Sequence, residues 1–214
     1  MTADEVRGVA GDWGKVFGRV EPLWLEIGPG NGFFLASMAR LHPHRNIVGL
    51  ELRYKRVWMC TRKILATKAT NVRVGHYHAG FLPDVFRPSS LDGIWINHPD
   101  PWPKDRHERN RLLNSDFAKI IALLLKQDAQ LELRSDHMPY RDLAAQLLPP
   151  LGFTLEKEST DLARTRTHWP DYAQTNYERK KTEAGIKVFA QRWRAPGMDT
   201  ALRLGTPESS RASF

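Results

Sequence analysis

Leu23-Trp24-Leu25-Glu26-Ile27-Gly28-Pro29-Gly30-Asn31-Gly32 decides the fold. A short run dominated by large apolar side chains enters a glycine-rich turn, and helical periodicity begins near Phe33, so the stretch reads as buried strand, tight turn and helix start. In open α/β sheets, ligands bind beyond the carboxyl ends of the strands, where glycines allow the backbone to come close. The spacing discriminates among such ligands. A dinucleotide fingerprint, G-x-G-x-x-G, needs glycine at position 33, but that residue is Phe33 and the third glycine is Gly32. Glu26 at the strand end would also repel a pyrophosphate. A cationic group is expected instead, and S-adenosylmethionine, with an ammonium, a sulfonium and no phosphate, meets that requirement.

The next apolar run, Asn46-Ile47-Val48-Gly49-Leu50-Glu51, again ends in a carboxylate, placed to accept ribose hydroxyls. Outward from these two segments, alternating strand and helix patterns predict strands near 23–27, 46–50, 71–77, 91–96, 129–134, 152–158 and 185–193. Helices are predicted near 32–41, 53–68, 114–125 and 139–148. The first two connections read as βαβ crossovers. A long irregular segment from Leu162 to Tyr177 precedes the last strand, which predicts an antiparallel strand added late to the sheet behind a functional loop. The expected architecture is α/β and Rossmann-like: a seven-stranded, mostly parallel sheet with helices on both faces and one antiparallel C-terminal strand. It should occupy residues 13–195, between a flexible N-terminus (1–12) and a flexible C-terminal tail (196–214).

A second informative stretch follows the strand near 91–96. Asn97-His98-Pro99-Asp100-Pro101-Trp102-Pro103-Lys104-Asp105-Arg106-His107-Glu108-Arg109-Asn110-Arg111 carries three prolines in five positions, which forbid a helix and stiffen the backbone. Asp100 and Trp102 are thus held at a strand end with five basic residues just beyond. Trp102 is a candidate stacking platform for a purine, and Lys104, Arg106, Arg109 and Arg111 are candidate phosphate contacts. The formal net charge of +8 favours a polyanionic partner, and the excess clusters in Lys104 to Arg111 and Arg179 to Arg194. A single cysteine, Cys60, excludes an internal disulfide and a cysteine-cluster metal site, and no metal is expected. The chain begins without a basic-then-apolar leader, and its longest aliphatic run, Ile120 to Leu125, is far short of the roughly 20 residues of a membrane span. A cytoplasmic location, with no membrane partner, is expected.

Glu26 to Gly32, Gly49-Leu50-Glu51, Asp100-Pro101-Trp102-Pro103-Lys104 with Arg106-His107, Arg134-Ser135-Asp136 and Thr175-Asn176-Tyr177-Glu178, in that order, resemble the bacterial tRNA (guanine-N7-)-methyltransferase family over roughly Asp12 to Arg194. The Asp-Pro-Trp-Pro-Lys element is the specific part of the likeness. The resemblance implies a class I methyltransferase fold that moves a methyl group from S-adenosylmethionine to N7 of a guanine in the tRNA variable loop. It implies cofactor contacts at Glu26, Glu51 and Asp100 together with the turn glycines Gly28, Gly30 and Gly32. It implies substrate contacts at Lys104, Asp136, Thr175, Asn176, Tyr177 and Glu178. Asp100 is the candidate catalytic residue, holding either the methionine ammonium or the base. One position departs from the family pattern: an Asp-Ala pair is usual where this chain has His78-Ala79, so His78 would meet the adenine amino group only through a neutral ring nitrogen.

Guanine N7 has a free lone pair, so no residue need remove a proton. Its Watson–Crick edge carries N–H donors, for which Asp136 and Glu178 are candidate acceptors. Two other readings compete: an exocyclic-amine RNA methyltransferase, and a non-catalytic RNA-binding module on the same fold. No obligatory protein partner is evident, and the chain is expected to act as a monomer or homodimer.

Overall fold

The computed structural model describes residues 1–102, 111–169 and 172–196. In chain order the elements are α1 (Ala3–Gly8), α2 (Trp13–Phe17), β1 (Leu23–Ile27), α3 (Phe33–Leu41), β2 (Asn46–Glu51), α4 (Tyr54–Thr67), β3 (Val72–His76), β4 (Leu91–Asn97), α5 (Ser115–Leu124), β5 (Leu125–Ser135), α6 (Met138–Leu147), β6 (Thr154–Ser159), α7 (Leu162–Thr165), α8 (Asn176–Glu183) and β7 (Phe189–Arg194). Short 3-10 turns intervene at Ala79–Asp84, Pro149–Leu151 and Arg166–His168.

The strands form one sheet in the order β3-β2-β1-β4-β5-β7-β6. β1 pairs in parallel with β2 on one side and β4 on the other, and β7 lies antiparallel between β5 and β6. The late antiparallel strand is thus present, inserted inside the sheet edge. Every residue of β1 and β2 is buried, as expected of central parallel strands covered on both faces. Alternate residues serve opposite layers. Leu23, Leu25 and Ile27 join Val6, Trp13, Phe117 and Tyr140 on one face, whereas Trp24 and Trp95 join Phe34, Leu35, Val57 and Ile64 of α3 and α4 on the other. Each such aliphatic or aromatic side chain contributes about 1.5–3 kcal/mol by leaving water.

The N-terminus differs from expectation. Residues 1–12 include α1, capped by a reciprocal Thr2–Glu5 box, with Val6 fully buried. The Met1 ammonium donates to the Val74 carbonyl at 2.8 Å, and the His76 amide donates to the Met1 carbonyl at 3.0 Å, so the first residue covers the exposed edge of β3. A six-residue helix has too few hydrogen bonds to hold itself and stands here because it docks.

The segment from Leu162 to Tyr177 also contains more structure than its sequence implied: α7, a 3-10 turn and the start of α8. The Thr175 hydroxyl caps α8 by accepting from the Glu178 amide at 2.9 Å. The expected tail falls, from residue 197 onward, outside the described residues. Among the described residues no helix is long and apolar enough to cross a membrane.

Candidate active site

Because β2 and β4 flank β1 on opposite sides, the connections leaving β1 and β4 diverge, and a crevice opens between their carboxyl ends. A cleft of about 250 Å³ lies there. Glu26, the glycine turn, Asn97 and His98 form its floor and one wall, and Thr175, Asn176, Tyr177 and Lys180 close it from the side of α8.

The turn owes its shape to glycine. Gly28, Gly30 and Gly32 all have positive φ, at 68°, 56° and 74°. Gly32 is the N-cap of α3, and a Cβ there would lie 2.6 Å from Cys60 Sγ, so α3 and α4 can approach only if position 32 has no side chain. Cys60 is a buried packing residue whose thiol is pushed up by that burial.

Glu26 is the most informative group in the cleft. Its side chain is buried, Oε1 accepts from Asn97 Nδ2 at 3.0 Å, and Oε2 has no hydrogen-bond partner. Burial lifts its pKa to about 8, with the nearby Glu51 adding to the rise and the Asn97 hydrogen bond and the Arg134 charge opposing it. A buried carboxylate oxygen without a partner, aimed at a cleft beside a glycine turn, fits a cationic cofactor group. Glu51, at the end of the adjacent strand, accepts from the backbone amides of Gly30 at 3.2 Å and Arg53 at 3.0 Å. Those two bonds fix its carboxylate against the turn and leave lone pairs for ribose hydroxyls.

His78 stands beyond the end of β3 and is not part of the cleft wall. Its Nδ1 accepts from the Gly80 amide at 3.0 Å, and burial lowers its pKa, so the ring is neutral with its proton on Nε2. It therefore presents a donor and cannot accept from an adenine amino group.

Asp100 is not among the residues that line the cleft, although His98, two positions before it, is. Its carboxylate is 65% exposed and pairs with Arg53 Nη2 at 3.2 Å, and its carbonyl accepts from the Tyr140 hydroxyl at 2.8 Å. The loop that carries it is held in uncommon backbone conformations: His98 and Trp102 have φ of 51° and 39°. The His98 amide donates to the Arg134 carbonyl at 2.7 Å, and Arg111 Nε donates to the Trp102 carbonyl at 3.2 Å. Trp102 is partly exposed, as a stacking platform requires. Lys104, Arg106, His107 and Arg109 lie outside the described residues.

Asp136 and Glu178 do not present free carboxylates to the cleft. Asp136 pairs with Lys181 Nζ of α8 at 2.8 Å and lies 3.9 Å from His98 Nδ1, and the His98 and Lys181 contacts hold it well below the usual carboxylate range. Tyr177 packs on the His98 ring at 4.6 Å. Glu178 is fully buried: Oε1 accepts from the Tyr172 hydroxyl, and Oε2 lies 3.6 Å from Arg134 Nη1. Both acids anchor α8 over the cleft rather than line it, while Thr175, Asn176 and Tyr177 do line it.

Behind them is a group that the sequence reading quoted within Arg134-Ser135-Asp136 but gave no role. Arg134 is buried, donates to the Ala173 carbonyl at 2.7 Å, and grips Glu132 Oε1 through Nε at 2.7 Å and Nη2 at 2.5 Å. Although burial opposes it, Arg134 and Arg192 hold Glu132 below the usual carboxylate range. The available signal was strand alternation, which puts Glu132 and Arg134 on the same face of β5. Asn97, His98 and Lys180 were likewise not singled out, and each lines the cleft.

A family model described as a putative methyltransferase matches residues 20–191. The tRNA (guanine-N(7)-)-methyltransferase of Lacticaseibacillus casei (strain BL23) is 33% identical over 179 residues, covering 84% of this chain and 83% of its own. That of Geobacillus kaustophilus (strain HTA426) is 32% identical, with 84% and 82% covered. Among solved structures, the 16S rRNA methyltransferase KamB superposes with a TM-score of 0.63 at 16% identity, over 86% of this chain and 93% of that one. The 16S rRNA (adenine(1408)-N(1))-methyltransferase from Catenulisporales acidiphilia gives 0.59 at 18% identity, over 86% and 92%. The structural likenesses show a common fold.

Proposed function

The chain belongs to the tRNA (guanine-N(7)-)-methyltransferase family, and from that premise we propose that it transfers a methyl group from S-adenosylmethionine to N7 of a guanine in the tRNA variable loop. The observation that carries the reading is the unpartnered, buried Glu26 oxygen at the switch point of the sheet, facing a glycine turn in a cleft. When bound, S-adenosylmethionine supplies an electrophilic methyl group on a sulfonium centre. Glu26 would hold its ammonium, Glu51 its ribose hydroxyls, and the backbone of Gly28 to Gly32 would pack against it.

The remaining work is alignment. An unprotonated N7 needs no base, and converting a two-body encounter into an oriented one supplies roughly 7–11 kcal/mol. With Glu26 assigned to the ammonium, Asp100 is left as the exposed carboxylate able to accept from the guanine N–H donors once it lets go of Arg53. Thr175, Asn176 and Tyr177 form the opposite wall, against which the base is held. Asp136 and Glu178 act one step removed, by fixing the helix that bears that wall. Lys104 is assigned a phosphate contact on sequence grounds.

Incubation of the protein with tRNA and labelled S-adenosylmethionine, followed by borohydride and aniline treatment, is expected to cut the RNA at a variable-loop guanine. Label incorporated without scission, or scission elsewhere, overturns the assignment. Asp100→Ala is expected to lower turnover by about 100-fold, the scale of a lost alignment contact, with tRNA binding retained. Near-parental turnover would remove Asp100 from the reacting centre.

A further inference from the structure

The helix α4 presents a surface that neither the core nor the cleft explains. Val57, Cys60 and Ile64 are its buried stripe. On another side Tyr54, Trp58, Arg62 and Leu65 recur at i, i+4, i+8 and i+11, a single helical stripe. Tyr54, Trp58 and Leu65 are 67%, 57% and 71% exposed, and Arg62 lies over the Trp58 ring at 4.7 Å. Large aromatic side chains that face water on a helix already packed by other residues mark a contact surface.

The charge of this surface says what it contacts. From Leu52 to Pro83 the sequence has no acidic residue, while Arg53, Lys55, Arg56, Arg62, Lys63 and Lys68 run along or flank α4. Two copies of the chain meeting through this face by a twofold axis would set these cations against one another. A nucleic acid supplies the opposite charge and flat faces for the rings. The helix also starts at the cleft: Arg56 of its first turn lines it, Arg53 just before the helix pairs with Asp100, and 14 residues carry the stripe about 20 Å away.

We propose that the exposed face of α4 is a second docking surface for the tRNA, on which Trp58 and Arg62 grip RNA outside the target loop. The proposal rests on tRNA being the substrate and adds where its remote part lies.

The test compares Trp58→Ala and Arg62→Glu with the parent protein on full-length tRNA and on a short RNA hairpin carrying only the variable-loop target. Each variant is expected to raise KM for full-length tRNA about tenfold, within the range of one lost base stack, and to leave kcat, S-adenosylmethionine affinity and KM for the hairpin unchanged. Arg62→Glu should also flatten the salt dependence of tRNA binding by about one unit or more. Parental KM for full-length tRNA in both variants overturns the proposal. So does a parent dimer that Trp58→Ala dissociates, which would make the face a contact between copies. If the parent methylates no tRNA guanine, the functional reading fails, but direct tRNA binding by parent and variants still decides the surface.

Discussion

Glu26→Gln is expected to weaken S-adenosylmethionine binding by about 2–5 kcal/mol, roughly 30-fold to several thousandfold, without unfolding the protein at neutral pH. The two halves of that expectation have one cause. With a pKa of about 8, the buried carboxyl of the cofactor-free protein is mainly protonated at pH 7, so a neutral amide of the same shape replaces a neutral acid. A cationic ligand group needs the carboxylate. Binding below pH 8 therefore expels a proton, and the dissociation constant should fall about tenfold per pH unit as pH rises toward 8, then level off. Stability of the cofactor-free protein runs the other way. Between the ordinary carboxyl value of 4.5 and about 8 the folded state keeps a proton that the unfolded state has released, so stability declines as pH rises through that window, and Glu26→Gln should remove that part of the slope. Calorimetry in buffers of different ionisation enthalpy reads the proton release directly. Parental affinity in the variant, or an affinity flat from pH 6 to 8, would take the cation away from Glu26.

The parallel half of the sheet was legible because central strands covered on both faces must be continuous apolar runs. Leu23 to Ile27 and Asn46 to Glu51 announce themselves, and the glycines between β1 and α3 follow from the geometry they must adopt. The helix α8 was hidden for the complementary reason: Asn176-Tyr177-Glu178-Arg179-Lys180-Lys181-Thr182-Glu183 has almost no apolar periodicity, and only Thr175 with Glu178 three residues on marked its start. The site divided along the same line. Glu26 and Glu51 lie at strand ends, which sequence locates; Glu26 lines the cleft there, and Glu51 accepts from the Gly30 amide of the turn beside it. The settings of Asp136 and Glu178 depend on partners brought by elements distant in sequence, Lys181 of the returning α8 and His98 beyond β4 for Asp136 and Arg134 of β5 for Glu178, and no local pattern contains that. His78 shows a third limit, since its role turns on the Gly80 amide having already claimed Nδ1.

Burial of the Arg134 charge among Glu132, Glu178 and the Ala173 carbonyl makes this position sensitive for stability. Arg134→Met is expected to destabilise the protein by about 3–5 kcal/mol in urea unfolding, because methionine refills part of the volume and none of the charge. Two carboxylates are then exposed to the loss unequally. Glu132 keeps Arg192, whose Nη2 lies 2.9 Å from Oε2, whereas Glu178 keeps only the Tyr172 hydroxyl inside a fully buried setting. The Ala173 carbonyl loses its donor as well, so the strain falls on the segment leading into α8 and hence on the wall made by Thr175, Asn176 and Tyr177. Adding Glu178→Gln to Arg134→Met should accordingly restore about 1–3 kcal/mol by deleting the uncompensated charge, although it removes one more native group. Cofactor binding reports the same network from its other end. Arg134 is one of the charges that restrain the rise at Glu26, and without it the Glu26 proton should be harder to expel, leaving weaker binding at pH 7 that recovers at higher pH. A single variant within 1 kcal/mol of the parent, or a double variant no more stable than the single, would show that α8 is held by its packing and not by this buried cation.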